Sequence, residues 1–122
     1  MYRILVVDDE RIEREGIKFL LADDKEEKIV FEAADGRQAL NILGKEDIDI
    51  LLTDVKMPHM DGLELTRRAR EKYPELKIII FSGYGDFSFA QEAIHYGVTD
   101  YILKPVNPEQ FEETMKKVER DI

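Results

Sequence analysis

Cysteine is absent from the 122 residues, which excludes disulfides, thiol nucleophiles and zinc–cysteine sites and leaves oxygen and nitrogen ligands for any metal. Long hydrophobic runs are missing too. The longest apolar stretches are strand-sized, short of the ~18 residues that a bilayer span requires, and Met1-Tyr2-Arg3-Ile4 leads straight into a strand rather than a signal peptide. A cytoplasmic protein with no membrane contact is the expectation. Positive charge is in deficit: 18 Lys and Arg stand against 27 Asp and Glu, a formal net charge of −9. That balance argues against direct nucleic-acid binding, because such modules cluster Lys and Arg on one face. Repeats, low-complexity segments and linkers are likewise absent, so one domain spanning residues 1–122 is expected.

What is present is 43% hydrophobic and 37% charged, the balance of a globular domain with a heavily charged surface. Ile50 to Thr53 is too short for a helix and too continuously apolar for an exposed strand, so it reads as a central strand of a parallel sheet, with Asp54 at its carboxyl end. Tyr2 to Val7 reads the same way and ends in Asp8-Asp9-Glu10. A helix follows, with Ile12, Gly16, Ile17, Leu20 and Leu21 assigned to its apolar face.

After a charged connection over residues 22–28, Ile29 to Ala34 is the next strand, and its Glu32 suggests a place near the sheet edge. Asp35 looks like an N-cap for a helix with Ala39, Leu40 and Leu43 inward and Gly44 at its end. Beyond Met57-Pro58, Asp61-Gly62 opens a helix with Leu63, Thr66 and Ala69 on the core face, Leu65 flanking. Lys77 to Phe81 is a fourth strand ending in Ser82-Gly83. It is followed by the loop Tyr84-Gly85-Asp86 and by a helix that turns Ala90, Ala93 and Ile94 inward and stops at Gly97. Tyr101 to Leu103 is a fifth strand running into Lys104-Pro105, and Pro108 begins a last helix with Phe111, Met115, Val118 and Ile122 on one face.

Five strands alternating with five helices predict an α/β fold, a flavodoxin-like doubly wound parallel sheet in the order 2-1-3-4-5. In that order Asp8, Asp9, Asp54, Ser82 and Lys104 all end neighbouring strands and converge on the edge where such sheets bind ligands. Carboxylates crowded in one crevice raise each other's pKa unless a cation joins them, and oxygen-only ligation suits Mg²⁺. A lysine and a hydroxyl beside that site would serve the remaining oxygens of a phosphoryl group. The chemistry suggested is phosphoryl transfer onto Asp54.

The motifs Val6-Val7-Asp8-Asp9-Glu10, Thr53-Asp54-Val55-Lys56-Met57-Pro58, Met60-Asp61-Gly62, Ser82-Gly83-Tyr84 and Tyr101-Ile102-Leu103-Lys104-Pro105 closely resemble those of the receiver domain of bacterial two-component response regulators. The resemblance implies that Asp54 is the phosphoacceptor, that Asp8, Asp9, Asp54 and the backbone carbonyl of Lys56 hold Mg²⁺, and that Ser82 and Lys104 contact the phosphoryl oxygens. It further implies a sensor histidine kinase as donor, a cis Lys104–Pro105 bond and a switch pair formed by Ser82 and Tyr101. The chain would catalyse only its own phosphorylation and dephosphorylation. Homodimerisation through the surface of the fourth helix, fifth strand and fifth helix is a further expectation, with control of transcription as the outcome. The run Phe81 to Phe87 is similar to receivers joined to AraC-type helix-turn-helix domains, so a DNA-binding output domain in a longer protein is also expected.

Three rival readings use the same residues. A haloacid-dehalogenase-like phosphatase also employs an aspartyl nucleophile and Mg²⁺, but needs a second Asp where Lys56 stands. A flavin module shares the fold, yet Asp8-Asp9-Glu10 would repel the flavin phosphate. A phosphorylation-independent receiver used only for interaction is the third. His59 and His95 are read as solvated, Met57 and Met60 as packing, and Tyr84, Phe87, Phe89 and Tyr96 as either core filler or a partner surface.

Overall fold

The computed structural model describes residues 1–22, 27–83 and 87–122. The middle of the charged connection, the loop Tyr84-Gly85-Asp86 and the side chains of Phe87 and Ala90 lie outside the described residues. Strands β1 (Tyr2–Val7), β2 (Lys28–Ala33), β3 (Ile50–Asp54), β4 (Lys77–Ser82) and β5 (Asp100–Leu103) alternate with helices α1 (Arg11–Ala22), α2 (Gly36–Lys45), α3 (Gly62–Lys72), α4 (Phe87–His95) and α5 (Pro108–Arg120). The strands form one sheet in the order β2-β1-β3-β4-β5, and every pairing is parallel.

Successive side chains of a strand face opposite sides of the sheet, so the continuous apolar runs feed two cores. Leu5, Val7, Leu51, Ile78 and Ile80 join Ala39, Leu43, Leu65 and Ala69 under α2 and α3. Ile4, Val6, Ile50, Leu52, Ile79, Phe81 and Ile102 pack with Ile17, Leu21, Phe111, Met115 and Val118 of α1 and α5. β2, carrying exposed Glu32, is an edge strand as its sequence suggested, and Arg14 and Lys18 pair with that carboxylate at 3.2 and 3.0 Å.

Several helix faces differ from the sequence expectation. Ile12 is 77% exposed, because at ~100° per residue it stands about 140° around the helix from buried Ile17. Gly16 shares that outer surface. Ile94 is 60% exposed, since α4 turns its neighbour Ala93 to the core instead. Ile122 lies beyond α5, which is capped at Asp121, and is 54% exposed. Leu65 is fully buried rather than flanking, because small Gly62 and Ala69 on the same helix let α3 lie close to the sheet and widen its covered face. α2 runs one residue past Gly44 and closes with the Glu46 N–H donating to the Ile42 carbonyl. Asp35, Asp61 and Asn107 cap α2, α3 and α5, each side chain accepting from the first-turn backbone. Gly97, at φ +83°, makes the turn after α4.

The α1 assignment is tested by two truncations. Ile17→Ala should cost about 2–4 kcal/mol in urea unfolding, whereas Ile12→Ala should stay within about 0.5 kcal/mol of the parent. The reverse order would mean that α1 docks through its other face.

Candidate functional site

Four of the five strands, β1, β3, β4 and β5, bring polar groups to the carboxyl edge of the sheet. β1 hands over to Asp8, which is buried, and to Asp9, which is exposed. Asp8 Oδ1 accepts from the Glu10 N–H at 3.0 Å, an Asx-type turn that lets α1 start within three residues of the strand. The Asp8 carbonyl is held by the Arg14 guanidinium at 2.8 Å. Arg14 was not singled out in the sequence, where it reads only as part of a polar helix face.

β3 ends on Asp54, in register with Phe81 of β4, and the Val55 N–H donates both to the Phe81 carbonyl and to Asp54 Oδ1, at 3.0 and 2.9 Å. The last residue of β4, Ser82, is fully buried, and its hydroxyl has no hydrogen-bond partner among the described residues. Lys104 follows β5 directly, its N–H donating to the Ser82 carbonyl at 2.8 Å. Its ammonium stands 3.4 Å from Asp54 Oδ2 and 3.5 Å from Asp8 Oδ2.

Asp8, Asp9 and Asp54 each offer a carboxylate oxygen, and these atoms lie within 4.8 Å of one another. Burial is the main cause that pushes the Asp8 carboxyl up to about 6, with the charges of Asp54 and Asp9 adding to it and the Glu10 N–H and Lys104 opposing. Asp54 is raised for the same leading reason, against the pull of Lys104 and the Val55 N–H. Burial alone would lower Lys104, but the nearby Asp54, Asp8 and Glu13 carboxylates outweigh it and hold the ammonium above its ordinary range.

Three carboxylates against one ammonium leave two negative charges in the crevice, and every donor is a hard oxygen. A small divalent cation such as Mg²⁺ fits that set, since it takes one or two carboxylates, keeps several waters and accepts phosphate oxygens.

Lys56 is exposed in the loop two residues beyond Asp54, and Tyr101 is half-buried on β5 against the α2–α3 core. The Lys104–Pro105 peptide bond is cis. His59, at φ +70°, and His95 are both exposed and stand apart from the carboxylate cluster. Met57 and Met60 pack against the core.

Gly62 belongs to the site through its backbone. A Cβ there would lie 2.2 Å from the Asp54 carbonyl oxygen, and its N–H donates to the Val55 carbonyl at 2.7 Å. The sequence carried a clue, since a glycine just after an N-cap Asp does no capping and signals close backbone approach instead.

The family model described as response regulator receiver domain matches residues 4–116. The uncharacterized transcriptional regulatory protein YesN of Bacillus subtilis is 37% identical over 97% of this chain and 32% of its own length. Among solved structures, the receiver domain of AraT, a response regulator from Geobacillus stearothermophilus, is 42% identical with a TM-score of 0.87, covering 98% of this chain and 93% of that one. A two-component transcriptional regulator AraC from Clostridium phytofermentans is 32% identical with a TM-score of 0.83, covering 99% and 98%. The chain spans 32% of the length of YesN and 49% of the length of a DegU of Brevibacillus brevis. Among the described residues no helix is long and apolar enough to cross a membrane.

Crowding at Asp8 has a pH signature. A carboxyl raised in the fold to about 6 stabilises most fully below its unfolded value of 3.8, and that contribution is lost as pH rises through about 6. Without divalent cation, stability should therefore decline across this window. Asp8→Asn should flatten the decline and gain on the order of 1 kcal/mol at pH 7.5. Urea titrations at several pH values check this, and parallel profiles for the two proteins would count against it.

Proposed function

Because this chain belongs to the response regulator receiver domain family, we propose that Asp54 accepts a phosphoryl group in a Mg²⁺-dependent transfer that switches an output surface. The observation that carries this reading is the meeting of Asp54, Asp8, Asp9 and the Lys104 ammonium at one edge of the sheet.

Asp54 Oδ1 already accepts from the Val55 N–H, which leaves Oδ2, facing Lys104, as the nucleophile. That oxygen attacks phosphorus as the P–N bond of a phosphohistidine breaks, and the electron pair of that bond leaves with the imidazole. Phosphoryl transfer asks the protein mainly for positioning and for charges aimed at the equatorial oxygens. The Lys104 ammonium supplies one such charge, and the Ser82 hydroxyl, unpartnered among the described residues, supplies a donor. Held by Asp8, Asp9, Asp54 and the Lys56 carbonyl, Mg²⁺ would offset the negative charge of the incoming phosphoryl group.

The donor in this reading is a sensor histidine kinase, and the setting is the cytoplasm. Relatives named as transcriptional regulators, about three times or about twice the length of this chain, support a DNA-binding output portion in a longer protein and transcription as the response. These residues themselves, net −9, would not bind the nucleic acid, and the chain turns over no external substrate. Drawing Ser82 and Lys104 toward a new dianion would pull on the segment after Ser82 and let half-buried Tyr101 turn inward. The surface of α4, β5 and α5 would then change shape and pair with a second copy.

Incubation with acetyl phosphate and Mg²⁺ should add one phosphoryl mass to the wild type and none to Asp54→Asn. Equal labelling of both would remove Asp54 as acceptor, and labelling of neither would favour the interaction-only receiver. With a beryllofluoride mimic, amide shifts are expected between Gly83 and Tyr101, and sedimentation should report a dimer. Unchanged spectra and association would end the switch reading even with Asp54 phosphorylated.

A further inference from the structure

The loop between β3 and α3 carries Lys56, and it is pinned at both ends. The Val55 N–H is tied to Phe81 and the Gly62 N–H to the Val55 carbonyl, at 3.0 and 2.7 Å. Between those points the loop leans on the start of α2. A Cβ built at Gly36 would meet Met60 Sδ at 2.6 Å, Cγ at 2.9 Å and Cβ at 3.0 Å. Rotating the methionine would clear the first two atoms but not the third, because Cβ moves only with the backbone. Met60 is thus seated where a side chain at position 36 would be.

The α2 side of this contact is rigid. Asp35 accepts from the Gln38 N–H at 2.8 Å while the Gln38 side chain accepts from the Ala34 N–H at 2.9 Å, a reciprocal cap that fixes the helix start to the end of β2. When the two surfaces are forced apart, the loop yields. Within its span the Met60 N–H donates to the Pro58 carbonyl at 2.8 Å, and a non-glycine residue, His59, sits at φ +70°.

We infer that Gly36 is a positioning residue for the phosphoacceptor site: its missing side chain lets Met60 dock on α2, and this holds the loop that presents Lys56 beside Asp54. Neither Gly36 nor Met60 touches the reacting atoms. The inference rests on the phosphoacceptor reading of Asp54 and adds to it a support on the far side of the loop, at the first residue of a different helix.

Gly36→Ala isolates the contact, because alanine is otherwise the better helix former and would by itself strengthen α2. Mg²⁺ is titrated into the unphosphorylated chain and followed by amide shifts around Asp54, for the wild type, Gly36→Ala, Met60→Gly and the double variant. Half-saturation should rise about tenfold in Gly36→Ala, the size of effect seen when support of a metal ligand is lost. In the Met60→Gly background, which removes all three contacting atoms including Cβ, the same substitution should change it by less than about twofold, since the two effects share one contact. A purely structural effect would lower the folded fraction and leave half-saturation of the folded chain unmoved, which would overturn the inference. So would an equal rise in both backgrounds. Should Gly36→Ala fail to fold, the double variant must fold and bind Mg²⁺ like Met60→Gly, and its failure would be equally fatal. A wild type that binds no Mg²⁺ and takes no phosphoryl group from acetyl phosphate sinks the reading of the site and this inference with it. A wild type that does both, beside an unmoved Gly36→Ala, sinks the inference alone.

Discussion

Crowding of like charge at the carboxyl edge of the sheet is the constraint on which the rest of this structure depends. Asp8, Asp9 and Asp54 bring oxygens within 4.8 Å of one another, and among the described residues the Lys104 ammonium, 3.4–3.5 Å from two of them, opposes their repulsion together with the Glu10 and Val55 N–H groups. Burial aggravates the conflict and drives Asp8 up to about 6. A fold does not collect acids in this way for stability, since removing one of them relieves the strain. What tolerates the arrangement is the sheet beneath it, whose central strands are apolar on both faces and fully covered by helices.

The parallel topology explains why those groups meet. β1, β3, β4 and β5 stand side by side and point the same way, so the residues that end them share an edge without any long-range device beyond strand register. Backbone contacts then refine the placement. Gly62 presses the start of α3 against the Asp54 carbonyl, and the Asp8 side chain caps its own turn before α1 begins. The acids are fixed by main-chain geometry, which leaves their outward oxygens to face the crevice.

Much of this was legible in the residues because it follows from period and punctuation. The apolar runs ending in Asp8, Asp54, Ser82 and Lys104 marked the strands, their alternation with helices implied the flavodoxin-like order that puts those ends on one edge, and the caps at Asp35 and Asp61 announced their helices. Helix faces were less legible. Ile12, Ile94 and Ile122 are apolar yet exposed, since hydrophobicity alone does not say which of two apolar stripes a helix buries, nor where its last turn ends. The Gly36–Met60 contact lay beyond sequence reasoning altogether, because it joins two positions through a space that exists only once α2 and the β3–α3 loop are packed.

Buried Ser82 links the site to the opposite end of its reach. Its hydroxyl is without a partner among the described residues while its carbonyl accepts from the Lys104 N–H at 2.8 Å, so the two groups proposed to grip a phosphoryl dianion are already tied through one backbone bond. An unpaired buried hydroxyl costs on the order of 1–3 kcal/mol, and a strong acceptor at Asp54 would recover it. In the proposed switch, part of the driving free energy would thus be held in Ser82 before any phosphoryl group arrives. Because Ser82 pairs with Leu103 in the β4–β5 register, two residues from Tyr101, any shift that satisfies the hydroxyl acts on the edge strand next to the proposed output surface. In the proposed switch, the differential contact that favours the phosphorylated state would set how far the population can move.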